Sequence, residues 1–297
     1  MKPVFIGSGV ALITPFDKDG KINFERFEKL VEYQTQNLTD AIIVCGTTGE
    51  GSTLTVSEKL ELFSSAVKVA RGRVPIIAGT GSNSTSFCLE LALKAEKCGI
   101  DAHLTVTPYY NKTSQEGIVK HYSFLADRLS KPIIVYNVPT RTGVNIQPET
   151  YQKLSEHRNI IAVKEADSDI SKIIKSIKLC KNNLDFYIGN DDMISPAMAV
   201  GCKGVISVLA NILPEYTHCM TVAGLEGNTH ICRKLQEDVI ELCGALFCDV
   251  NPIPIKTAMA HLGTDSGILR LPLCEMHEVK KKYLIDTIEK LRINSII

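Results

Sequence analysis

The residue in this chain with the clearest chemical potential is Lys164, which lies in the apolar run at residues 160–165. A short run of this kind predicts a strand that is buried on both faces. An ammonium group at the end of such a strand is costly unless a carboxylate pairs with it, and burial otherwise favours the neutral amine. A neutral amine is a nucleophile that can form a Schiff base with a carbonyl substrate. The alternative is a structural lysine that reaches the strand end and pairs with Glu165 or Asp167.

Hydroxyl, phenol and guanidinium groups follow other short apolar runs of the chain. They belong to Thr47, Thr48, Tyr110, Tyr136 and Arg141. If these runs are strands of one parallel barrel, the groups meet at its carboxyl end, where the active sites of such barrels lie. Schiff-base chemistry moves protons to and from a carbinolamine and an enamine, and a tyrosine linked to a threonine can move them. The set therefore favours imine chemistry.

Each of these groups also has a plain structural interpretation, which the local sequence leaves open. Thr47 and Thr48 lie among glycines and are suited to capping their own loop through hydroxyl-to-backbone hydrogen bonds. Tyr136 is equally compatible with an aromatic of the barrel interior, and Arg141 with a solvated loop charge. Tyr110, next to another tyrosine, is also typical of packing at a subunit interface.

The composition excludes several other classes of site. Lys+Arg and Asp+Glu both number 33, so no basic surplus points to nucleic acid or an anionic membrane. The seven histidines show no HxH or HExxH spacing, and no P-loop or GxGxxG motif is present. The glycines at residues 79–82 indicate a tight turn. We therefore expect neither a metal nor a cofactor.

Eight short apolar runs recur at intervals of about 30 residues, the size of a βα unit. Amphipathic helical patterns separate them, and residues 55–58 carry the capping-box signature of a helix start. Eight such units predict an α/β fold, a (β/α)8 TIM barrel, over residues 1–224, with an open doubly wound sheet as the rival. Residues 225–297 predict a short C-terminal helical appendage. The runs cover residues 9–14, 41–44, 75–78, 102–106, 132–136, 160–165, 185–189 and 204–208.

The cysteines and the hydropathy indicate a soluble, cytoplasmic protein. Ten cysteines are scattered without a CxxC pair, and several lie in apolar runs, which favours buried reduced thiols over disulfides. The N-terminus lacks the features of a signal peptide, and no apolar run is long enough to span a bilayer. The net charge near zero fits a surface that is partly covered in an oligomer.

Three motifs together resemble those of the dihydrodipicolinate synthases, a family of pyruvate-dependent class I aldolases related to N-acetylneuraminate lyase. The motifs are Gly46-Thr47-Thr48-Gly49-Glu50, the run at residues 136–143 and Val163-Lys164-Glu165. The resemblance extends from Gly9 to about Gly263. It implies a lyase that condenses pyruvate with L-aspartate 4-semialdehyde to 4-hydroxy-tetrahydrodipicolinate, the entry step of diaminopimelate and lysine biosynthesis.

The resemblance assigns the covalent step to one residue and the proton transfers to three others. Lys164 matches the lysine that forms the Schiff base with pyruvate. Tyr136, Thr47 and Tyr110 match the proton relay, with Tyr110 reaching into the site of a neighbouring subunit. The family is usually a homotetramer built as a dimer of dimers, so the resemblance implies a homo-oligomer of this kind.

The resemblance also implies how the substrates are held. Thr48 and the backbone N–H groups of its loop match the group that binds the pyruvate carboxylate, a task for which hydroxyls and amides are suited. Arg141 matches the arginine that binds the carboxylate of the semialdehyde, and a guanidinium can do so bidentately. Gly189 and Ile206 match residues that line the pocket through their backbone atoms. A sialic-acid lyase would usually carry Ser-Thr in place of the threonine pair and would lack the arginine.

One departure from the family pattern concerns regulation. In lysine-inhibited members, histidines follow the GTTGE loop and a glutamate lies on the helix after the third strand. In this chain the matching positions hold Val56, Lys59 and Phe87, while Asn83 and Tyr109 are retained. A cation and an apolar ring are poor ligands for a cationic amino acid. We therefore expect weak inhibition by lysine or none.

Three rival functions remain open at this point. The first is another pyruvate-dependent aldolase, of the N-acetylneuraminate lyase or 2-keto-3-deoxy acid aldolase kind. The second is a barrel that carries pyridoxal phosphate on Lys164, although residues 201–204 only faintly resemble a phosphate loop. The third is a catalytically silent barrel that senses a keto acid, for which a proton relay would have no use.

Overall fold

The computed structural model describes residues 3–291, and these form a closed barrel of eight parallel strands in sequential order. Strand β8 pairs with β1, with Ile206 opposite Gly9, and so closes the barrel. This arrangement confirms the predicted (β/α)8 barrel and excludes the open sheet. The strands are β1 Gly7–Ala11, β2 Ala41–Val44, β3 Ile76–Gly79, β4 Ala102–Val106, β5 Ile133–Asn137, β6 Ile160–Glu165, β7 Asp185–Ile188 and β8 Gly204–Ser207.

Twelve α-helices accompany these strands within the described residues. The capping box predicted at residues 55–58 is present: the Glu58 N–H donates to Thr55 Oγ1 at 3.2 Å, and the Thr55 N–H donates to Glu58 Oε2 at 2.8 Å. Two 3-10 turns lie at Asp191–Met193 and Leu209–Asn211. The helices are α1 Phe24–Gln36, α2 Val56–Ala70, α3 Thr85–Glu96, α4 Gln115–Ala126, α5 Pro139–Thr142, α6 Pro148–Leu154, α7 Ile170–Cys180, α8 Ile194–Ala199, α9 Pro214–Leu225, α10 Thr229–Leu246, α11 Ile253–His261 and α12 Glu278–Lys290.

The first strand differs most from its predicted bounds. It begins at Gly7 and ends at Ala11, whereas the apolar pattern predicted residues 9–14. Gly7 pairs with Gly204 of β8, a contact between two glycines that hydrophobicity does not signal. Leu12 and Ile13 are buried outside the strand, among the side chains between barrel and helices. Burial of an apolar run therefore extends beyond its strand here.

Helices α10, α11 and α12 lie in the predicted C-terminal region, which we call the appendage. The division between residues 224 and 225 stays a prediction, and residues 1–2 and 292–297 of the two predicted regions lie outside the described part. All ten cysteines are unpaired, and six of them are buried. No helix of the described residues has the length and apolarity needed to cross a membrane.

The apolar core consists of two layers separated by the barrel wall. Side chains such as Ile43, Leu104 and Ile134 fill the interior, whereas a larger layer lies between the strands and the surrounding helices. Successive strand residues point to opposite faces. On β6, Ala162 belongs to the interior and Val163 to the outer layer, so Lys164 returns to the interior face. This alternation decides which polar residues of the strand ends meet inside the barrel.

Candidate active site

Lys164 lies near the carboxyl end of β6 and is only 6% exposed. Its backbone neighbours are Tyr136 on β5 and Tyr187 on β7. The Lys164 Nζ atom lies 4.5 Å from the centroid of the Tyr136 ring. A Cβ atom at Gly189, just after β7, would lie 3.0 Å from Lys164 Cε, so the glycine leaves space for the lysine chain. The interior thus holds a buried amine against an aromatic ring.

The adjacent Glu165 points to the other face of β6 and serves a different set of partners. Its carboxylate accepts hydrogen bonds from the Tyr151 hydroxyl and the Asn137 side-chain amide, both at 2.7 Å. Burial raises the pKa of Glu165, and these donors, together with Lys172 at 3.9 Å, oppose that shift. Glu165 is therefore a structural carboxylate between strand and helices.

Asp167 is occupied in the same outer network. Its carboxylate accepts hydrogen bonds from Lys172 Nζ at 2.9 Å and from the Asn145 amide at 2.7 Å. The structural interpretation of Lys164, in which Glu165 or Asp167 neutralises it, is not supported by this geometry. The lysine of that network is Lys172 on α7.

The three residues of the expected proton relay differ in their positions. Tyr136 is 7% exposed on the interior face of β5, beside Lys164. Thr47 is half-buried in the loop that follows β2, at the same end of the barrel. Tyr110 is 91% exposed and has a φ of 68°, so within one chain its phenol faces solvent. The structure brings Tyr136 to the lysine and does not bring Tyr110 there.

Thr48 and Arg141 are joined through a residue that sequence reasoning missed. Thr48 is buried, and its Oγ1 accepts a hydrogen bond from Asn251 Nδ2 at 3.0 Å. The backbone oxygen of Asn251 accepts one from Arg141 Nη2, also at 3.0 Å. Asn251 lies between α10 and α11 and is 203 positions from Thr48, so no local pattern links them. The Thr48 hydroxyl thus contacts the appendage rather than capping its own loop.

A second tie from the appendage holds the same loop through Glu50. The Glu50 carboxylate accepts hydrogen bonds from Lys256 Nζ at 2.7 Å and from the Arg270 N–H at 3.1 Å. Lys256 Nζ also donates to the Thr14 carbonyl at 2.9 Å and lies 4.3 Å from the Phe16 ring centroid. Burial lowers the pKa of Lys256, and the Glu50 carboxylate opposes that shift. Sequence reasoning used Glu50 only as part of a motif and missed this buried ion pair.

Glycines allow the loop at residues 46–51 to fold tightly against β3. A Cβ atom at Gly51 would lie 2.2 Å from the Cys45 carbonyl oxygen, and one at Gly79 would lie 2.4 Å from it. A side chain at either position would force the backbone apart. Gly79, one of the glycines that indicated a tight turn, is the last residue of β3 and packs against this loop.

The last expected site residue, Ile206, lies on β8 with its side chain fully buried in the interior layer. Close to it, the Asp191 carboxylate accepts hydrogen bonds from the N–H groups of Val208 and Leu209 at 3.0 and 2.8 Å. Burial raises the pKa of Asp191. This carboxylate shapes the chain as it leaves β8.

The arrangement is suited to covalent chemistry at a carbonyl group. A buried amine can attack a carbonyl carbon, and a neighbouring phenol can move the protons that the attack displaces. Within residues 3–291, no group of three His, Cys, Asp or Glu side chains is placed to hold a metal ion.

Residues 4–291 match the model of the dihydrodipicolinate synthetase family. The chain is 50% identical over 275 residues to 4-hydroxy-tetrahydrodipicolinate synthase 1 of Clostridium acetobutylicum, covering 93% of this chain and 94% of that relative. It is 49% identical over 294 residues to the 4-hydroxy-tetrahydrodipicolinate synthase of Clostridium perfringens, covering 99% and 100%.

Solved structures give the same result for the fold. The dihydrodipicolinate synthase of Aquifex aeolicus superposes with a TM-score of 0.95 at 40% identity, covering 97% of this chain and 99% of that one. A monomeric dihydrodipicolinate synthase variant superposes with a TM-score of 0.95 at 37% identity, covering 98% of both chains.

Proposed function

This chain belongs to the dihydrodipicolinate synthetase family and is a lyase of the class I aldolase type that forms 4-hydroxy-tetrahydrodipicolinate, and from that premise we propose the residues that carry the reaction. The substrates are pyruvate and L-aspartate 4-semialdehyde, and Lys164 is the nucleophile. The observation that carries this assignment is the position of Lys164 inside the barrel. It is 6% exposed and lies against Tyr136, and it forms no ion pair with a carboxylate of residues 3–291.

The reaction begins when the Lys164 amine attacks the ketone carbon of pyruvate. The carbinolamine loses water to give an imine, which loses a proton from the pyruvate methyl group to become an enamine. The enamine carbon attacks the aldehyde carbon of the second substrate, and the new alkoxide takes up a proton. Attack by the substrate's amino group on the imine carbon closes the ring and releases the lysine. Tyr136 and Thr47 move the protons. The position of Tyr136 beside the amine supports its part in this relay.

Two carboxylates have to be bound during these steps. We assign the pyruvate carboxylate to the Thr48 hydroxyl and the N–H groups of residues 46–51, and the carboxylate of the semialdehyde to Arg141. The shared contact of Thr48 and Arg141 with Asn251 supports both assignments, because it holds the two groups to one segment. Gly189 and Ile206 contribute backbone atoms to the pocket.

The test is a coupled assay with pyruvate, aspartate semialdehyde, excess dihydrodipicolinate reductase and NADPH. Wild type should consume NADPH, and Lys164→Ala should not. Borohydride should trap pyruvate on wild type and not on Lys164→Ala. Lys172→Ala is the matched control, since Lys172 lies on the other side of the barrel wall and should still be trapped.

Two results would contradict the proposal in different ways. Trapping of pyruvate without NADPH consumption would favour an aldolase for another aldehyde, which an aldehyde screen would identify. Trapping on Lys164→Ala would remove Lys164 as the nucleophile.

We also propose that the chain works as a homo-oligomer, a tetramer built as a dimer of dimers, in which Tyr110 completes the relay of a neighbouring subunit. The 91% exposure of this phenol supports a role outside its own chain. Mixing Tyr110→Phe with Lys164→Ala subunits should restore part of the activity, because one site of each mixed dimer would carry both intact residues. Lack of recovery in verified mixed dimers, or a monomer by sedimentation, would contradict this arrangement.

Lysine should inhibit this enzyme weakly or not at all. Lys59 is a half-buried cation on α2, and burial lowers its pKa. Phe87 on α3 is 41% exposed, so an accessible apolar ring stands where the binding of lysine would need an acidic group. The neighbouring position of the pattern, Tyr109, is 37% exposed. Activity measured against L-lysine concentration tests this expectation. Half-inhibition at sub-millimolar lysine would refute it.

We place the protein in the cytoplasm. Its ten unpaired cysteines support a reducing compartment, since thiols in oxidising compartments tend to form disulfides. Fractionation of the source cells should recover the protein with cytoplasmic markers, and recovery from the medium or an extracytoplasmic fraction would contradict this location.

A further inference from the structure

We propose that Asn251 is a positioning residue that sets the direction of the Thr48 hydroxyl and, through it, the binding of the pyruvate carboxylate. Asn251 lies in the short segment between α10 and α11, outside the strand ends that supply the other site residues. The proposal rests on the function proposed above and adds a residue to it.

The direction of the hydrogen bond carries the inference. Asn251 is 7% exposed, and its Nδ2 donates to Thr48 Oγ1 at 3.0 Å. An amide N–H group is a donor only, so it cannot accept the hydroxyl hydrogen of Thr48. That hydrogen remains available to another acceptor. A substrate carboxylate is an acceptor of the required kind, and the hydrogen bond to a charged group is stronger than a neutral one.

The main chain of Asn251 contacts Arg141, the residue assigned to the second substrate carboxylate. Its carbonyl oxygen accepts the hydrogen bond from Arg141 Nη2 at 3.0 Å. The Asn251 Oδ1 atom is buried without a hydrogen-bond partner among the described residues. One residue therefore contacts both groups assigned to substrate carboxylates.

The segment that carries Asn251 is itself fixed against the same loop. Lys256, five residues further on, pairs with Glu50 at 2.7 Å, and its N–H donates to the Pro252 carbonyl at 3.0 Å. Residues 251–256 thus contact the loop at residues 46–51 at two points, through the Asn251–Thr48 hydrogen bond and the Lys256–Glu50 ion pair. Two contacts between the same segment and the same loop limit how far Asn251 can move from Thr48, as a positioning contact requires.

The first part of the test measures pyruvate binding in two variants. The probe is the pyruvate concentration that gives half-maximal borohydride trapping. Asn251→Ala should raise it about three- to ten-fold, the loss expected for one hydrogen bond, while kcat at saturating pyruvate changes less. Asn251→Asp should raise it further, because its carboxylate accepts the Thr48 hydrogen and repels pyruvate. Thermal melting of each variant reports whether it is folded.

The second part asks whether Asn251 acts through Thr48. Thr48→Val should raise the same concentration, and the double variant with Asn251→Ala should bind pyruvate no more weakly than Thr48→Val alone. If instead the two fold-changes multiply, Asn251 does not act through Thr48 and the proposal is overturned.

Asn159→Ala is the matched control. Asn159 is a partly buried asparagine whose amide donates to three carbonyls, those of Ala126, Leu129 and Lys131, before β6 begins. It should lower the melting temperature and leave pyruvate trapping unchanged. An Asn251→Ala protein that behaves in this way would overturn the proposal. Absence of trapping by wild type would instead refute the proposed function, and the role of Asn251 with it.

Discussion

Two buried lysines of this molecule have opposite surroundings. Lys256 is completely buried, and its ammonium donates to the Glu50 carboxylate at 2.7 Å and to the Thr14 carbonyl at 2.9 Å. Lys164 is 6% exposed, and its ammonium lies over the Tyr136 ring at 4.5 Å. Burial alone therefore does not distinguish a structural lysine from a reactive one. The partner does, because the Lys256 ammonium is occupied by a carboxylate and a carbonyl, whereas the Lys164 Nζ atom lies against an aromatic ring and is free to approach a carbonyl carbon.

The most decisive way to break this contrast is Lys164→Met. Activity and borohydride trapping should fall by at least about three orders of magnitude, since the variant lacks the amine that the proposed covalent step requires. Thermal stability should stay the same or rise, because an apolar chain replaces a buried polar group that forms no ion pair among residues 3–291. The coupled assay and a melting curve measure the two quantities. A large loss of stability would mean that Lys164 is a structural residue after all.

Lys256→Met should have the reverse effect and lower stability first. It leaves the Glu50 carboxylate buried beside an apolar chain, at a cost of about 3–5 kcal/mol in the free energy of unfolding. Urea unfolding measures this loss. Trapping of pyruvate should still occur on the folded fraction, because Lys164 is intact. If trapping is abolished at saturating pyruvate in protein that remains folded, Lys256 has a chemical role and the contrast fails.

The double variant Lys256→Met with Glu50→Leu sharpens the same comparison. Removing both charges avoids the unpaired carboxylate, so part of the lost stability should return. The two single changes should therefore not add, as expected for residues in direct contact. Additive losses in urea unfolding would contradict the pairing.

Lys172 on α7 provides an intermediate case. Its ammonium pairs with Asp167 at 2.9 Å and lies 3.9 Å from Glu165, with 9% of its side chain exposed. Lys172→Met should lower the free energy of unfolding by about 1–3 kcal/mol, because Asp167 loses a hydrogen-bond donor and Glu165 loses a nearby cation. It should leave kcat within a few-fold of wild type, since the network lies outside the barrel wall. Equilibrium unfolding and steady-state kinetics give the two values, and a loss of trapping would contradict this placement.

The smallest effect concerns a partly exposed ion pair between Arg270 of the appendage and Glu58 on α2. The Arg270 guanidinium, which donates to Glu58 at 3.0 and 2.5 Å, holds the pKa of Glu58 at about 2, below its ordinary value of 4.5. Between these two values the unfolded chain binds the proton and the folded chain does not. The stabilisation is therefore complete above pH 4.5, falls with pH and is lost near pH 2.

Glu58→Gln tests this sign. Solvent screening limits the expected loss to about 1 kcal/mol at neutral pH. The variant should also lose stability less steeply than wild type as acid is added, because it has no carboxyl to protonate there. Unfolding curves between pH 7 and acid measure the slopes. Equal slopes would show that this pair does not contribute.

The barrel could be predicted from the sequence because its signal is local and repeated. Each strand is a short apolar run, and residues 41–44 and 102–106 match β2 and β4 at both ends. The alternation of β6 also places Lys164 and Glu165 on opposite faces, although a register shift near Ile134 interrupts the regular pairing of β5 with β6. What the apolar pattern could not supply was the start of β1, where two glycines pair.

The site could be predicted only where its residues follow strands. Lys164, Tyr136 and the threonine pair lie at strand ends, so the barrel topology alone brings them to one face. Asn251 and Lys256 could not be found in this way, because their partners are 203 and 206 positions away. Hydrogen bonds of single polar atoms leave no periodic pattern in a sequence. The C-terminal helical pattern predicted an appendage but not its contact with the loop.

The ties from the appendage to the loop at residues 46–51 set an order of events during synthesis. All eight strands have been made once the ribosome reaches Ser207, and Lys164 is by then already part of the chain. The hydrogen-bond donors to Thr48 and Glu50 are translated later. They are Asn251, Lys256 and Arg270. Because the chain is synthesised from its N-terminus, the proposed nucleophile is present before the residues that hold the proposed carboxylate-binding loop. A chain that stops just short of residue 251 contains the residues of all eight strands and lacks every appendage residue that holds Thr48 and Glu50 in the structure.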